Sequence, residues 1–364
     1  MAPMNNELAQ ARTRIDSLDE QIQALISQRA RIAQEVAHIK ERMGDSTGNH
    51  YRPSREAEVL RRAMERNTGP LTDETVARLM REIMSACLSL ESPLKIAYLG
   101  PEGTYTQAAV LKHFGDSITA RPVAAIDEIF RDVETGNADY GVVPVENSLG
   151  GIVSHTLDEL AQTTLRICGE VTLPIHHCLL STETSVEAIT HIYSHQQSFA
   201  QCRKWLDARL PKAEKETVAS NAQAVLIARE KGGAAIAGQQ AARLYGMNIL
   251  ASNIEDDPNN TTRFLIIGKH DPSPTGDDVT SVVMTAQRNN PGALFKLLQP
   301  FARENIDLTR IESRPVKGAA VRDYYFFIDF RGHALDPRIE SVLGEVRAAA
   351  AYFKILGSYP TAPF

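Results

Sequence analysis

Cysteine, positive charge and long apolar runs are all scarce in this chain, and each shortage removes a class of protein. Only four cysteines occur in 364 residues. Cys87, Cys168, Cys178 and Cys202 are scattered, with neither metal-type spacing nor the density of a disulfide scaffold. Buried thiols in a reduced, cytoplasmic protein are the expectation. Lysine and arginine total 39 against 45 acidic residues, and a net charge of −6 argues against a nucleic-acid partner. No run approaches the ~18 apolar residues of a membrane span, and the N-terminus opens as a charged helical pattern, not an apolar signal core. The Gly-Lys-Ser/Thr ending of a phosphate loop is missing too. What is there is an ordinary soluble composition, 43% hydrophobic and 23% charged. At that length two or three domains are expected, each able to bury its own core.

The stretch from Ala138 to Gly151 organises the centre of the chain. Gly141 to Val145 reads as a strand buried on both faces, ending in the polar turn Glu146, Asn147 and Ser148. Two glycines and a helical pattern through Val153, Leu157 and Leu160 follow. Strand ends of this kind bind ligands in open α/β sheets. The competing reading is that the three polar residues only cap the helix.

Residues 1–92 are all helical by pattern. Leu8, Ala11, Ile15, Leu18, Ile22, Leu25, Ile32, Val36 and Ile39 mark the seam of one long helix. Arg29 interrupts that seam, and Lys40 follows about three turns on, ~16 Å along the axis and within ~20° of the same face. Ala33 and Val36 make an apolar floor between them, so the pair suits a compact dianion. Arg12 lies about 25 Å from Arg29 and ~100° round the helix. It is either a solvated arginine or one that serves a second copy. Glu91 ends the apolar row of a third helix, where it either pairs with Arg29 or faces a ligand.

The series Ala11-Arg12, Ser27 to Arg29, Ile39-Lys40 and Pro53 to Glu56 resembles the all-helical chorismate mutases. The resemblance implies an intertwined homodimer in which Arg12 crosses into the partner's site. It implies that Arg29 and Lys40 bind carboxylate and ether oxygen, that Arg55 supports them and that Glu56 takes the ring hydroxyl. Cys87 stands where serine is usual, and Glu91 where glutamine is usual. Glutamine donates a hydrogen bond at any pH, whereas Glu91 donates only when protonated. A mutase favoured by mildly acidic pH is therefore expected. The rearrangement is unimolecular and needs only conformer binding and charge stabilisation.

Residues 93–270 alternate β and α patterns, which predicts a mostly parallel sheet. Lys95 to Leu99 reads as a strand, and Thr104, Tyr105 and Thr106 at the following helix start form a candidate carboxylate cradle. The segment from Glu170 to Ser181 suits a crossover between two lobes, which leaves a cleft between Asn147-Ser148 and Ser194, Gln201 and Thr262. His195 is either near that cleft or structural. Gly100 to Tyr105, Val143 to Ser148, Ser194-His195, Gln201-Cys202 and Thr262-Arg263-Phe264 are similar to prephenate dehydratases. The family implies that Thr262 assists departure of hydroxide and that Asn147, Ser148, Ser194 and Gln201 bind or orient prephenate. Arg263 is then a carboxylate partner of the substrate, or else forms a salt bridge to Glu146 or Asp139.

After a linker rich in Pro, Ser, Asp and Gly, residues 279–364 read as βαββαβ, the ferredoxin-like split motif. Gly292, Ala293 and Leu294 open a helix, and Glu312, Ser313 and Arg314 end a strand. As structure alone these are a turn and a surface ion pair. The segment resembles ACT domains, in which these two motifs bind phenylalanine between paired subunits. The fold class expected is thus multidomain: an all-α module, a two-lobed α/β module like the periplasmic binding proteins, and an α+β regulatory module. The function implied is a bifunctional enzyme making prephenate from chorismate and then phenylpyruvate, inhibited by phenylalanine, with no metal and no cofactor. A homodimer or larger homo-oligomer is implied. The rival is a ligand-binding sensor, and arogenate is a rival substrate.

Overall fold

The computed structural model describes residues 2–43, 51–287, 291–316 and 323–362. Three helices form the first module: α1 (Ala2–Arg42), α2 (Pro53–Glu65) and α3 (Asp73–Ser89). Pro53 occupies the first turn of α2, and the Thr72 hydroxyl caps α3 by accepting from the Thr75 amide at 3.3 Å. The seam of α1 faces outward, with Ile15, Leu18, Ile22 and Leu25 each more than half exposed. Among the described residues no helix is long and apolar enough to cross a membrane.

The second module has two lobes. The first holds β1 (Lys95–Leu99), α4 (Tyr105–Phe114), β2 (Thr119–Val123), α5 (Ile126–Thr135) and β3 (Tyr140–Asn147). It continues through β4 (Gly151–Ile152), α6 (Ser154–Gln162) and β5 (Arg166–Pro174). The chain then crosses into the second lobe: β6 (Cys178–Ser181), β7 (His191–Ser194), α7 (Gln196–Gln201), α8 (Arg203–Arg209) and β8 (Glu214–Thr217). That lobe ends with α9 (Asn221–Lys231), β9 (Ala234–Ala237), α10 (Gln239–Tyr245) and β10 (Asn248–Ala251), and the chain returns as β11 (Thr261–Gly268). The sheets run β2-β1-β3-β11-β5 and β10-β6-β9-β7-β8.

Two expectations are corrected here. The sheets are mixed, not mostly parallel: β11 lies antiparallel to β3 and β5, and β6 antiparallel to β9 and β10. A strand that arrives from the other lobe enters from the opposite end, so the crossing sets its direction. Glu146 and Asn147 are also strand, not a helix cap. They pair with Arg263 and Thr262 on one side and with Ile152 and Gly151 on the other.

The third module follows the expected order, β12 (Asp278–Ala286), α11 (Ala293–Arg303), β13 (Leu308–Pro315), β14 (Tyr324–Arg331), α12 (Pro337–Ala349) and β15 (Ala350–Pro360). Its antiparallel sheet runs β13-β14-β12-β15, leaving β13 at an edge. It does not have a wholly separate core. Val283, Phe327, Leu356 and Tyr359 join Val143, Leu157 and Ile267 of the first lobe in one buried cluster. A side chain at Gly357 would collide with the backbone of Ile167 on β5, so β15 crosses at backbone contact. Lys354 donates to the carbonyls of Leu160, Ala161 and Thr163, acceptors that the end of α6 leaves open.

Candidate active sites

A cavity of about 430 Å³ opens in the helical module. Arg29 and Lys40 line it from α1, with Ala33 and Val36 between them; Arg55 and Glu56 line it from α2, Cys87 from α3 and Glu91 from the turn just past it. Six of the seven residues expected at the first site thus share one concavity. Arg12 is the seventh, exposed on α1 and outside it. The wall opposite comes from the second module, through Leu94, Phe114, Ser117 and Ile118.

Glu56 is the most constrained of these groups. Burial pushes its carboxyl up from the ordinary range, against the nearby Arg81 guanidinium and a hydrogen bond from Tyr51, which pull it down. Arg81 Nε lies 3.3 Å from Glu56 Oε1, and its Nη1 donates to the Lys112 carbonyl of α4 at 2.9 Å. The Tyr51 hydroxyl is 3.1 Å from His113 Nε2. Burial, helped by Arg81, drives the His113 imidazole down to about 3. Tyr51 was missed by sequence reasoning; its place just before the Pro53 helix start was the one available signal.

The second site lies where β3 meets β11. Thr262 stands opposite Asn147 in register, and Asn147 Nδ2 donates to Thr262 Oγ1 at 2.9 Å. The same amide reaches Asn260 Oδ1 at 2.8 Å and the Thr261 carbonyl at 3.1 Å. Asn147 Oδ1 accepts from the Gly150 amide at 2.6 Å, which tightens the β3–β4 hairpin. Ser148 Oγ accepts from the Thr261 amide at 2.9 Å. From the other lobe, Gln197 Nε2 approaches Asn147 Oδ1 at 3.4 Å. Gln201 Oε1 holds His177 Nε2 at 2.8 Å, and the other ring nitrogen of His177 meets the Tyr105 hydroxyl at 2.9 Å. Burial lowers the His177 pKa, so the ring stays neutral. Asn260 and His177 were not singled out in the sequence, because neither carries a local pattern.

Other expectations need correction. Arg263 does not face the cleft. Successive strand residues point to opposite sides, so with Thr262 toward Asn147 the guanidinium turns to the regulatory sheet. There it meets Glu170 at 2.7 Å, Asp329 at 2.8 Å and the Tyr359 hydroxyl at 3.0 Å, and neither Glu146 nor Asp139 is its partner in these contacts. Glu146 instead pairs with Arg310 of β13 at 3.1 Å. Ser194 is fully buried, its hydroxyl donating to Asn221 Oδ1 at 3.1 Å, which ties the end of β7 to the start of α9. His195 caps α7, accepting from the Gln197 amide at 3.3 Å. The proposed cradle is spent internally: Thr104 donates to the Leu99 carbonyl, and the Tyr105 hydroxyl, 2.8 Å from the His176 carbonyl, gives its proton to His177 Nδ1.

On the regulatory module Gly292 adopts a left-handed φ of 76° ahead of Ala293 and Leu294, the first turn of α11. Glu312, Ser313 and Arg314 lie on edge strand β13, and Arg314 is held by Asp158 of α6 at 3.3 Å. Among the described residues Arg310 Nη2 and Arg314 Nε are buried without an acceptor.

Comparison with known proteins assigns each module in turn. Residues 11–92 match the family model for chorismate mutase type II, residues 96–272 that for prephenate dehydratase and residues 280–348 that for the ACT domain. A bifunctional chorismate mutase/prephenate dehydratase of Stutzerimonas stutzeri is 55% identical over 361 residues, covering 98% of each chain. That of Aquifex aeolicus is 43% identical, again covering 98% of each. Among solved structures, a prephenate dehydratase from Arthrobacter aurescens in complex with L-Phe superposes with a TM-score of 0.68 at 34% identity. That match covers 73% of this chain and 90% of the other.

Proposed function

Since the chain belongs to the family of bifunctional chorismate mutase/prephenate dehydratases, we propose a division of labour among its own residues. It carries both activities, rearranging chorismate to prephenate and then converting prephenate to phenylpyruvate with loss of carbon dioxide and water. In the helical cavity Arg29 and Lys40 hold the carboxylate and ether oxygen of chorismate, Arg55 supports them and Glu56 accepts from the ring hydroxyl. Glu91 donates to the breaking ether bond while protonated, and Cys87 fills the wall. The exposed apolar row of α1 supports a homodimer, which brings Arg12 of one protomer over the cavity of the other. No bond to the protein forms; fixed charges on rigid helices stabilise the charge that develops.

In the cleft Thr262 is the group that helps hydroxide leave prephenate. The single observation that carries this is the Asn147 amide donated to Thr262 Oγ1. With a lone pair so occupied, the hydroxyl proton is turned to an acceptor in the cleft. A threonine is too weak an acid for full transfer, so a strong hydrogen bond to the leaving oxygen is its contribution. Aromatisation drives the loss of carboxylate. Asn147, Ser148 and Gln201 orient the substrate, directly or through His177, and Ser194 keeps the α7 loop in place. Four free, buried cysteines suit a reducing compartment, the cytoplasm.

Phenylalanine acts at the segments Gly292 to Leu294 and Glu312 to Arg314, between paired regulatory sheets joined at β13. Inhibition reaches the cleft through two ion pairs, Arg310 with Glu146 and Asp329 with Arg263, each one residue from Asn147 or Thr262. Arg310 Nη2 and Arg314 Nε are buried donors without acceptors in this arrangement. A second arrangement of β13 that matches them is what the effector favours. The test is to feed chorismate to the Thr262→Val variant and follow absorbance. Prephenate should accumulate at the normal rate without phenylpyruvate; continued phenylpyruvate formation defeats the assignment.

A further inference from the structure

We infer that Tyr51 is a positioning residue of the mutase site, and that the dehydratase module holds it in place. The inference rests on the reading of Glu56 as the acceptor for the ring hydroxyl. Tyr51 lies between the two modules: it lines the mutase cavity, and its ring packs against Phe114 at 5.3 Å and Tyr140 at 5.3 Å between centroids. Its hydroxyl has one proton, and Glu56 is a carboxylate with none to give while ionised. The bond between them therefore runs from Tyr51 to Glu56. It follows that His113 gives the second bond, from Nε2–H to the Tyr51 oxygen at 3.1 Å. An acceptor so supplied makes the phenol a better donor to Glu56. The relay is His113 of α4, Tyr51, Glu56 and then substrate, so an element of the second enzyme orients a group of the first.

Charged groups face Glu56 from every element around it. From α1 come Arg29 and Lys40, from α2 comes Arg55, and Arg52 precedes that helix. On α3, Arg81 touches it, and Glu91, just past the end of that helix, lies across the cavity. Behind Tyr51, His113 of α4 and Glu170 of β5 line a smaller void, and Lys112 sends its carbonyl to Arg81. Burial raises the Glu56 carboxyl and the Tyr51 hydrogen bond lowers it, so losing that donor raises it further and the acid limb of the mutase profile moves to higher pH.

The chain supplies its own folding control, since the dehydratase rate is read on the same molecule. Tyr51→Phe in the full chain keeps the ring and deletes only the hydroxyl. Mutase kcat/KM should fall roughly tenfold, the loss of a hydrogen bond to a charged group, with its acid limb displaced upward and prephenate turnover unchanged. His113→Leu should lower the mutase rate by a few fold, and His113→Gln, which retains a donor, should restore it. Glu56→Gln is the reference variant. If it cripples the mutase while Tyr51→Phe keeps the native rate and profile, the relay is wrong. If Glu56→Gln itself is fully active, the role of Glu56 falls first and the relay with it. Should Tyr51→Phe weaken both activities alike, Tyr51 is a packing residue only and the inference is overturned.

Discussion

The two active sites are supported in opposite ways. The mutase cavity hangs on a helix whose apolar row is open to solvent, and two of its cations, Arg29 and Lys40, come from one spacing along that rod. The dehydratase pair, Asn147 and Thr262, sits in a mixed sheet, and the regulatory sheet grips the next residue of each strand from behind. One site thus borders an open apolar row, while the other is braced by its own chain. The first should respond to assembly and the second to the effector.

The largest effects expected are reciprocal losses. Arg29→Ala should lower mutase kcat/KM by about 10²–10³-fold with the dehydratase intact, and Asn147→Ala should do the converse, each removing a group aimed at developing charge. Linked losses in either variant, measured with chorismate and prephenate separately, would show that the sites are not independent. Next in size is Arg310→Gln, which removes the charge facing Glu146. The phenylalanine concentration for half inhibition should rise about tenfold, a typical coupling energy, while uninhibited turnover holds. Unchanged inhibition would move the coupling elsewhere. Gly357→Ala should cost about 1–3 kcal/mol by forcing β15 off Ile167, seen as a lower Tm by circular dichroism. A native Tm would mean that the regulatory sheet floats free of the first lobe.

The smallest effect is on pH. In Glu91→Gln the donor is present at every pH, whereas the native carboxyl donates only when protonated, so the variant should change the pH dependence of the mutase rate. The change is expected to be a few fold, read from initial rates across pH; an identical profile in the variant removes Glu91 from the bond-breaking step. Relative to the braced dehydratase, this is where the more open site is tuned.

How far each site could be read from sequence follows from the same contrast. A helix brings residues three, four or eleven apart onto one face, so Arg29 and Lys40 declared themselves by spacing. The cleft joins residues more than a hundred positions apart, and spacing is silent there. Thr262 and Arg263 are neighbours in sequence but point to opposite sides of β11, and only the register with β3 tells which lies beside Asn147. Ser194 is ambiguous in the sequence for a related reason: a hydroxyl at a strand end serves the next loop as readily as a ligand. The mixed strand direction was hidden because it depends on the return crossing, which leaves no periodicity. Tyr51 was hidden because its partners belong to another module.

The meeting of Gly357 with Ile167 has one more result. A pushed side chain can turn to another rotamer and absorb the movement, but main chain against main chain has no such slack. Tilting the effector sheet must therefore carry β5 with it as a lever carries its fulcrum. Since β5 is hydrogen-bonded to β11, the strand that bears Thr262, a rotation at the far edge is passed on to the Thr262 backbone.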